Sequence, residues 1–420
     1  MTTAQDALCR TLSIADMKAF ADRAALTALA VAASSLLTAG CGIAPKADST
    51  RPPVTTSTGA TAAISSVTAN TMFFGNTYFG RHINEWSQAS PLRYAYPFSR
   101  LNEFNRKRYD AWFTGLECPT VAGLNLTAAQ EEATLTFNCN PAYLKEAAHW
   151  FTAFSLANNH SGNQGDPGVE ETRRRLGSAG IQYWGDPDPR RLNDICEVVA
   201  LPVKVRMTDH TTTTGSLPIA LCGYAWVFRI PSPESVALMT KYAALMPTIA
   251  MPHGGTEYDP KPDQLKTNLY HSMIDAGADA VIDDHPHWVQ TSEAYKGRLI
   301  VYGMGNFLFD QQHDPERTRS AGINVRLDVD ATHYSAAERA NLQRWLKLGP
   351  TCATYHDDCL ASARSEGLTK LKVTYRFGVV GTDDSDRITR PASQELQQSI
   401  LQRLNWAATI AGLRAPYSGR

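Results

Sequence analysis

The sequence predicts an α/β domain between about Asn70 and Asp330, and three observations carry that reading. Short apolar runs alternate with helical stretches throughout the region. The segment from Pro247 to Asp283 reads strand, helix, strand, the pattern of a βαβ unit. Asn, Glu, His and Arg gather directly after the apolar runs, at the carboxyl ends of strands where α/β sheets bind their ligands.

Each element has its own justification. "TMFF", "TAFSLA", "PIALCGYAWVF", "PTIAMP", "DAVID" and "LIVYGMG" read as strands. "PDQLKTNLYHSMIDAG" places Leu265, Leu269, Met273 and Ile274 on one helical face, and Gly277 supplies the stop. The basic run "RLNEFNRKRYDAW" reads as a solvated helix face, and the aromatics of "YAYPF" and "WFTAF" as core. Beyond Asp330, "LTKLKVTYRFGVVGT" reads as one or two strands. "PASQELQQSILQRLNWAATIAGL" reads as a closing helix with Pro391 near its start and Gly412 near its end. The intervening "GPTCATYHDDCLASA" reads as a stapled loop, so residues 331–420 form an extension packing on the same domain.

The amino terminus differs in kind. From Met17, a candidate start, Lys18 and Arg23 precede an uncharged run from Ala24 to Gly40, the layout of a secretory signal. It ends in "LLTAGC", which looks like a bacterial lipobox with Cys41 as the lipidated residue, although Thr38 stands where leucine is usual. Residues 1–41 are therefore read as a signal peptide. Residues 42–69, rich in Ser, Thr, Ala and Pro, are read as a disordered tether.

Composition bounds the rest. Hydrophobic content of 43% and charged content of 19% in 420 residues describe a globular chain with a large core. Forty basic against forty-one acidic residues leave a formal charge of -1, which provides no whole-chain electrostatic footprint for nucleic acid. Six cysteines follow Cys41: Cys118, Cys139, Cys196, Cys222, Cys352 and Cys359. In an exported chain they predict structural disulfides, and sequential pairing is the expectation although spacing does not determine connectivity.

The polar residues after the strands make chemical sense together. Asn76 and Arg81 follow "TMFF", Glu117 follows "DAWFTG", and Asn159 and His160 follow "TAFSLA". His253 follows "PTIAMP", His285 and His287 flank Pro286 after "DAVID", and Asn306 follows "LIVYGMG" as a further catalytic candidate. His, Glu and the Asn carbonyl form a mixed N/O set suited to Zn, Mn or Fe, with no thiolate in it. Metal-free acid–base chemistry at His160 or His287 fits the same residues.

In order, "FFGNTYFGR", "LECP", "SLANNH", "MPHGGTEY", "HPHWVQ" and "EAYKGRLIVYGMGNFLFD" resemble the CapA (PgsA-like) poly-γ-glutamate capsule proteins over roughly residues 70–330. The resemblance implies a metallophosphatase-like (calcineurin-like) sandwich of two mixed β-sheets flanked by helices, in an extracytoplasmic, membrane-associated protein. It implies that Glu117 bridges two metals, that Asn159, His253 and His285 complete one of them, and that His287 and Asn76 serve the other. His160 would donate a proton to the leaving group, and Arg81 would hold an anionic substrate by a bidentate contact. Two departures stand out: Gly75-Asn76 where the family reads GD, and Gly115-Leu116-Glu117 where it reads NLE. The expectation is one tight divalent ion and a weak second one. The implied function is metal-assisted hydrolysis or transfer at a γ-glutamyl amide or phosphoester; the alternative is a non-catalytic, polymer-binding accessory of a capsule synthesis or export complex. Expected partners are an anionic envelope polymer or small substrate, membrane capsule-synthase subunits, and the membrane through a lipid anchor.

Overall fold

The computed structural model describes residues 62–353 and 356–420. The signal segment, Cys41 and most of the tether lie outside the described residues. The strands, in chain order, are β1 (Ile64–Thr77), β2 (Ala111–Leu116), β3 (Ala153–Ser155), β4 (Gln182–Trp184), β5 (Cys196–Met207), β6 (Thr212–Ala225), β7 (Thr248–His253), β8 (Ala280–Ile282), β9 (Ser292–Tyr295), β10 (Arg298–Val301), β11 (Asn306–Leu308), β12 (Arg319–Asp330), β13 (Thr374–Asp383), β14 (Arg390–Pro391) and β15 (Tyr417–Gly419). They form a large mixed sheet flanked by helices, an α/β architecture as expected.

Strand β1 organises the sheet because its two halves pair differently. Its first half lies antiparallel between β12 and β5, with Val67 opposite both Val329 and Val205. Its last residues run parallel to β2 and β11, with Asn76 opposite both Gly115 and Asn306. From β1 the ladder continues through β12, β13 and β14 on one side and β5, β6, β7, β8, β10 and β9 on the other. A branch of β2, β3 and β4 leaves its carboxyl half.

The pleat then divides the core. Successive strand residues face opposite sides, so Phe73 packs 4.8 Å from Phe113 in one apolar cluster. Met72 and Phe74 enter the other, where Phe74 meets Trp112 and stacks on Phe307 at 3.9 Å.

Several elements differ from the sequence reading. β1 opens at Ile64, so residues 64–69, assigned to the tether, belong to the sheet. Their Ser and Thr content hid a strand whose position comes from two neighbours: Val67 and Ala69 are buried, and Ser65 Oγ donates to the Arg206 carbonyl. The helix Gln264–Asp275 forms behind an Asp263 cap and buries Leu269, Met273 and Ile274, but Leu265 is 46% exposed. Lys266 is buried instead, its ammonium 2.5 Å from Asp283. "RLNEFNRKR" forms short 3₁₀ turns rather than a helix face, with Arg106 over the Trp112 ring. The closing helix breaks at Asn405, in the left-handed region at φ 53°, into Gln394–Arg403 and Trp406–Gly412. The stapled segment expected to be a loop is helical over His356–Ser365. The extension joins the same body: β13 pairs along β12, and the Tyr375 and Tyr417 hydroxyls both donate to Asp279. Among the described residues no helix is long and apolar enough to cross a membrane.

The disulfides pair sequentially, Cys118–Cys139, Cys196–Cys222 and Cys352–Cys359. The first ties the residue after Glu117 to the segment carrying Phe137, on which His160 stacks. Closing a loop of this length is worth about 2–4 kcal/mol. Replacing both Cys118 and Cys139 by Ser should lower the urea-unfolding free energy by about that amount, and a loss well under ~1 kcal/mol would show that other contacts hold the loop.

Candidate functional site

The site forms where β1, β2, β3, β7 and β8 end. Parallel pairing sets Asn76 beside Gly115 and Gly115 beside Ser155, so the turns after these strands project Asn76, Glu117 and the Asn158-Asn159-His160 segment together. β7 lies parallel to β6 and β8, and brings His253 from its last residue to face the loop after β8. Close backbone approach makes this possible. Gly75 lies so near the Gly305 carbonyl that a Cβ would sit 1.7 Å from its oxygen, and a Cβ on Gly115 would sit 1.9 Å from Asp284 Oδ2.

One half of the site centres on His253. Its Nδ1 donates to Asp284 Oδ1 at 2.8 Å, which leaves Nε2 to the site. That nitrogen lies 2.8 Å from Asn159 Oδ1 and 3.1 Å from His285 Nδ1. Burial, together with neighbouring His253 and His287, holds His285 well below its ordinary pKa, so its imidazole is neutral at pH 7. An Asn oxygen, a His253 nitrogen freed by its carboxylate partner and a neutral imidazole thus converge at about 3 Å, the spacing of adjacent ligands around an ion with bonds of about 2.1 Å. The carboxylate behind His253 is the arrangement that orients metal-binding histidines. This donor set fits a divalent cation. Among the described residues no three His, Cys, Asp or Glu side chains are grouped to hold a metal ion; here Asn159 supplies the third donor.

The other half centres on His287, held at φ 54° in the left-handed region that non-glycine residues rarely adopt. Asn306 donates its amide hydrogens to Gln311 Oε1 and the Arg317 carbonyl, so its Oδ1 accepts from His287 Nδ1 at 2.7 Å. His287 Nε2 then faces Glu117 Oε1 at 3.4 Å. Burial pushes the Glu117 carboxyl up, but His287, with His160 and His253, outweighs it and holds the pKa at about 2. Burial likewise lowers His287, yet Glu117 raises it to about 9. Asn306 is therefore a positioning residue for His287. Asn76 Nδ2 lies 3.4 Å from His287 Nδ1, and Asn158 Nδ2 lies between Asn76 Oδ1 and Glu117 Oε2 at 3.5 and 3.4 Å.

His160 stands at the rim with Asn159, half-exposed where the rest of the set is buried. Asn163 Oδ1 accepts from the Phe137 amide and from His160 Nδ1 at 2.9 Å, and the imidazole stacks on Phe137 at 3.9 Å, so Nε2 is left for chemistry. Burial lowers its pKa, which makes Nε2 a proton acceptor at neutral pH. Beside Asn159 opens a cavity of about 190 Å³ lined by Arg190, Arg229, Asp188 and Phe228.

Arg81 does not reach out for substrate. Its guanidinium makes the bidentate contact with Asp310 instead, Nε to Oδ2 at 3.0 Å and Nη2 to Oδ1 at 2.6 Å, within a box of Tyr78, Phe137 and Phe309. Motif reading passed over Asn158, Asp284 and Asn163. The doubled Asn before His160 and doubled Asp before His285 were the available signals.

The Glu117–His287 pair makes the cation-free protein pH-dependent. Stability from the lowered Glu117 is fully present above its ordinary 4.5 and is lost as pH falls through about 2. Stability from the raised His287 is fully present below its ordinary 6.5 and is lost as pH rises through about 9. Chelator-treated protein should therefore show the pair's full stabilisation between pH 4.5 and 6.5. The melting temperature of Glu117→Gln should vary less with pH on both sides of that window, and unchanged pH dependence would contradict the pairing.

Residues 70–217 and 234–311 match the family described as "Bacterial capsule synthesis protein PGA_cap". The chain is 31% identical over 176 residues to "Capsule biosynthesis protein CapA" of Bacillus anthracis, covering 40% of this chain and 42% of that protein. It is 26% identical over 264 residues to "PGA biosynthesis protein CapA" of Bacillus subtilis (strain 168), covering 60% of this chain and 65% of that protein. The match thus spans less than two thirds of either relative's length. The strand-end residues assembled above fall within the matched segments, and the chain belongs to the bacterial capsule synthesis protein family PGA_cap.

Proposed function

We propose that this protein is a cell-envelope enzyme of capsule biosynthesis, a cation-dependent hydrolase or transferase acting on a γ-glutamyl amide or phosphoester of an anionic polymer. The observation that carries the reading is the convergence of Asn159 Oδ1, His253 Nε2 and His285 Nδ1 beside a rim histidine whose Nε2 is free. Asn159, His253, His285 and Glu117 would hold one Zn, Mn or Fe ion tightly, and His287 with Asn76 a second one weakly. Such an ion would supply polarisation of the scissile bond and a more acidic bound water.

The chain's own groups supply the remainder. His160 Nε2 takes a proton from the attacking water as its oxygen bonds to the carbonyl or phosphorus. It returns that proton to the departing nitrogen or oxygen as the scissile bond breaks. Because its resting form is neutral, His160 acts as base before it acts as acid, which refines the proton-donor role expected of it. Phe137 and Asn163 keep the ring in place. With Arg81 committed to Asp310 and Arg190 to Asp188, Arg229 at the adjoining cavity is the cation that would meet an anionic chain. Neutral Asn76 and bare Gly115 favour a second reading, an accessory that binds polymer together with membrane capsule-synthase subunits and does not turn it over.

Elemental analysis of the purified protein should find about one tightly held divalent ion per chain. His160→Ala should keep that ion and lose about 10²–10⁴-fold in turnover, whereas His285→Ala should lose the ion. Both variants retaining metal and full capsule production would defeat the enzyme reading in favour of the accessory one. A separate expectation concerns location: Cys41→Ser should move the protein from the membrane to a soluble extracytoplasmic fraction, and unchanged membrane retention would refute the lipid anchor.

A further inference from the structure

Gly115 leaves a hollow in the floor of the site. It pairs with Asn76 in the β1–β2 ladder and precedes Glu117 by two residues, so all three present the same strand end. A Cβ built on Gly115 would lie 1.9 Å from Asp284 Oδ2 and 3.4 Å from Asn76 Oδ1. Both oxygens therefore abut the space that a side chain at 115 would fill. Asp284 reaches it from the loop after β8, 169 positions along the chain from Gly115.

The two oxygens of Asp284 have different fates. Oδ1 accepts from His253 Nδ1, while Oδ2 is buried with no hydrogen-bond partner. Asp284 as a whole is 1% exposed. A carboxylate oxygen sealed from water without a donor costs several kcal/mol in order of magnitude unless a cation meets it or a proton neutralises it. Near it lie Asn76, which was assigned above with His287 to the weak second ion and is 3.4 Å from that histidine, and Glu117, whose charge acts on Asp284. None of the donors other than Glu117 brings negative charge to that position.

We infer that Asp284 is the carboxylate ligand of the second cation position. One carboxylate then serves both halves of the site, orienting His253 through Oδ1 and meeting the second ion through Oδ2. The inference rests on the cation reading under Proposed function. Gly115 is the permissive element, because any side chain there displaces Oδ2.

Binding of Mn²⁺ to the chelator-stripped full chain, followed by calorimetry and elemental analysis, tests this without an activity assay. In Asp284→Asn the amide oxygen can still accept from His253 Nδ1, so the tight ion should remain bound, weakened by no more than about 10–100-fold, while the weaker one, losing a direct ligand, should no longer be detected. Adding Asn76→Asp to that variant should restore the weaker ion. Gly115→Ala, which removes no polar group, should also lose it, and this variant keeps the test open if Asp284→Asn folds poorly. Weaker-ion affinity unchanged in both Asp284→Asn and Gly115→Ala would overturn the inference while leaving the cation reading standing. Parallel loss of both ions in Asp284→Asn would make Asp284 a positioning residue for His253 only and overturn it as well. An unmodified protein that binds no Mn²⁺ at all would overturn both.

Discussion

The contact between Asp284 and His253 is the constraint on which the rest of the site depends. A buried histidine can present either nitrogen, and the choice is made by whatever meets the other one. Asp284 Oδ1 takes the Nδ1 proton, so Nε2 turns toward Asn159 and His285. The carboxylate can sit there only because Gly115 has no side chain. Behind it a second buried network holds the loop: Asp283 accepts from the Tyr270 hydroxyl and the His285 amide while pairing with Lys266. Burial lowers the Lys266 pKa, and Asp283 opposes that shift. The loop that carries His285 and His287 is thus anchored by charges that must satisfy one another once they leave water.

A gradient of exposure follows from this arrangement. Glu117, His253, Asp284, His285 and His287 are buried, whereas Asn159 and His160 stand at the rim beside the cavity with Arg190 and Arg229. Apart from Asn159, the groups that would hold a cation are therefore desolvated and fixed, and the group that would move a proton meets solvent and substrate. Aromatic packing extends the order outward, since Phe137 stacks on His160 and also lies under the Arg81 guanidinium. Arg81 consequently braces the rim through Asp310, a role that differs from gripping a substrate but uses the same planar fork.

Family membership and geometry meet at the same residues, and they answer different questions. The family match covers the strand ends and places the chain among capsule synthesis proteins. What distinguishes this chain lies in Asn76, Gly115 and Asp284. Asn76 is neutral, Gly115 is bare, and the carboxylate that abuts the space at Gly115 comes from the loop after β8. A site described by motif positions alone looks depleted there; described by the space those residues share, it has one carboxylate more than the motifs reveal.

The sequence by itself determined the α/β class and the order of strand ends that carry polar residues, because apolar periodicity and strand-end clustering are local signals; that Asn159, His253 and His285 share one site was what the family resemblance implied. Sequential disulfide pairing was expected from the sequence and is what the fold contains, although spacing did not determine it. Tertiary structure alone decided which atoms meet. Arg81 binds Asp310, 229 residues away, and Asp284 reaches the hollow at Gly115 because β1, β2 and β8 end at one place. It also decided that Lys266 rather than Leu265 is buried, because Asp283 offered a partner. It set the first strand's start at Ile64, where pairing with β5 and β12 overrode a tether-like composition. Sheet register and the satisfaction of buried charge are properties of distant partners, and no window of neighbouring residues contains them.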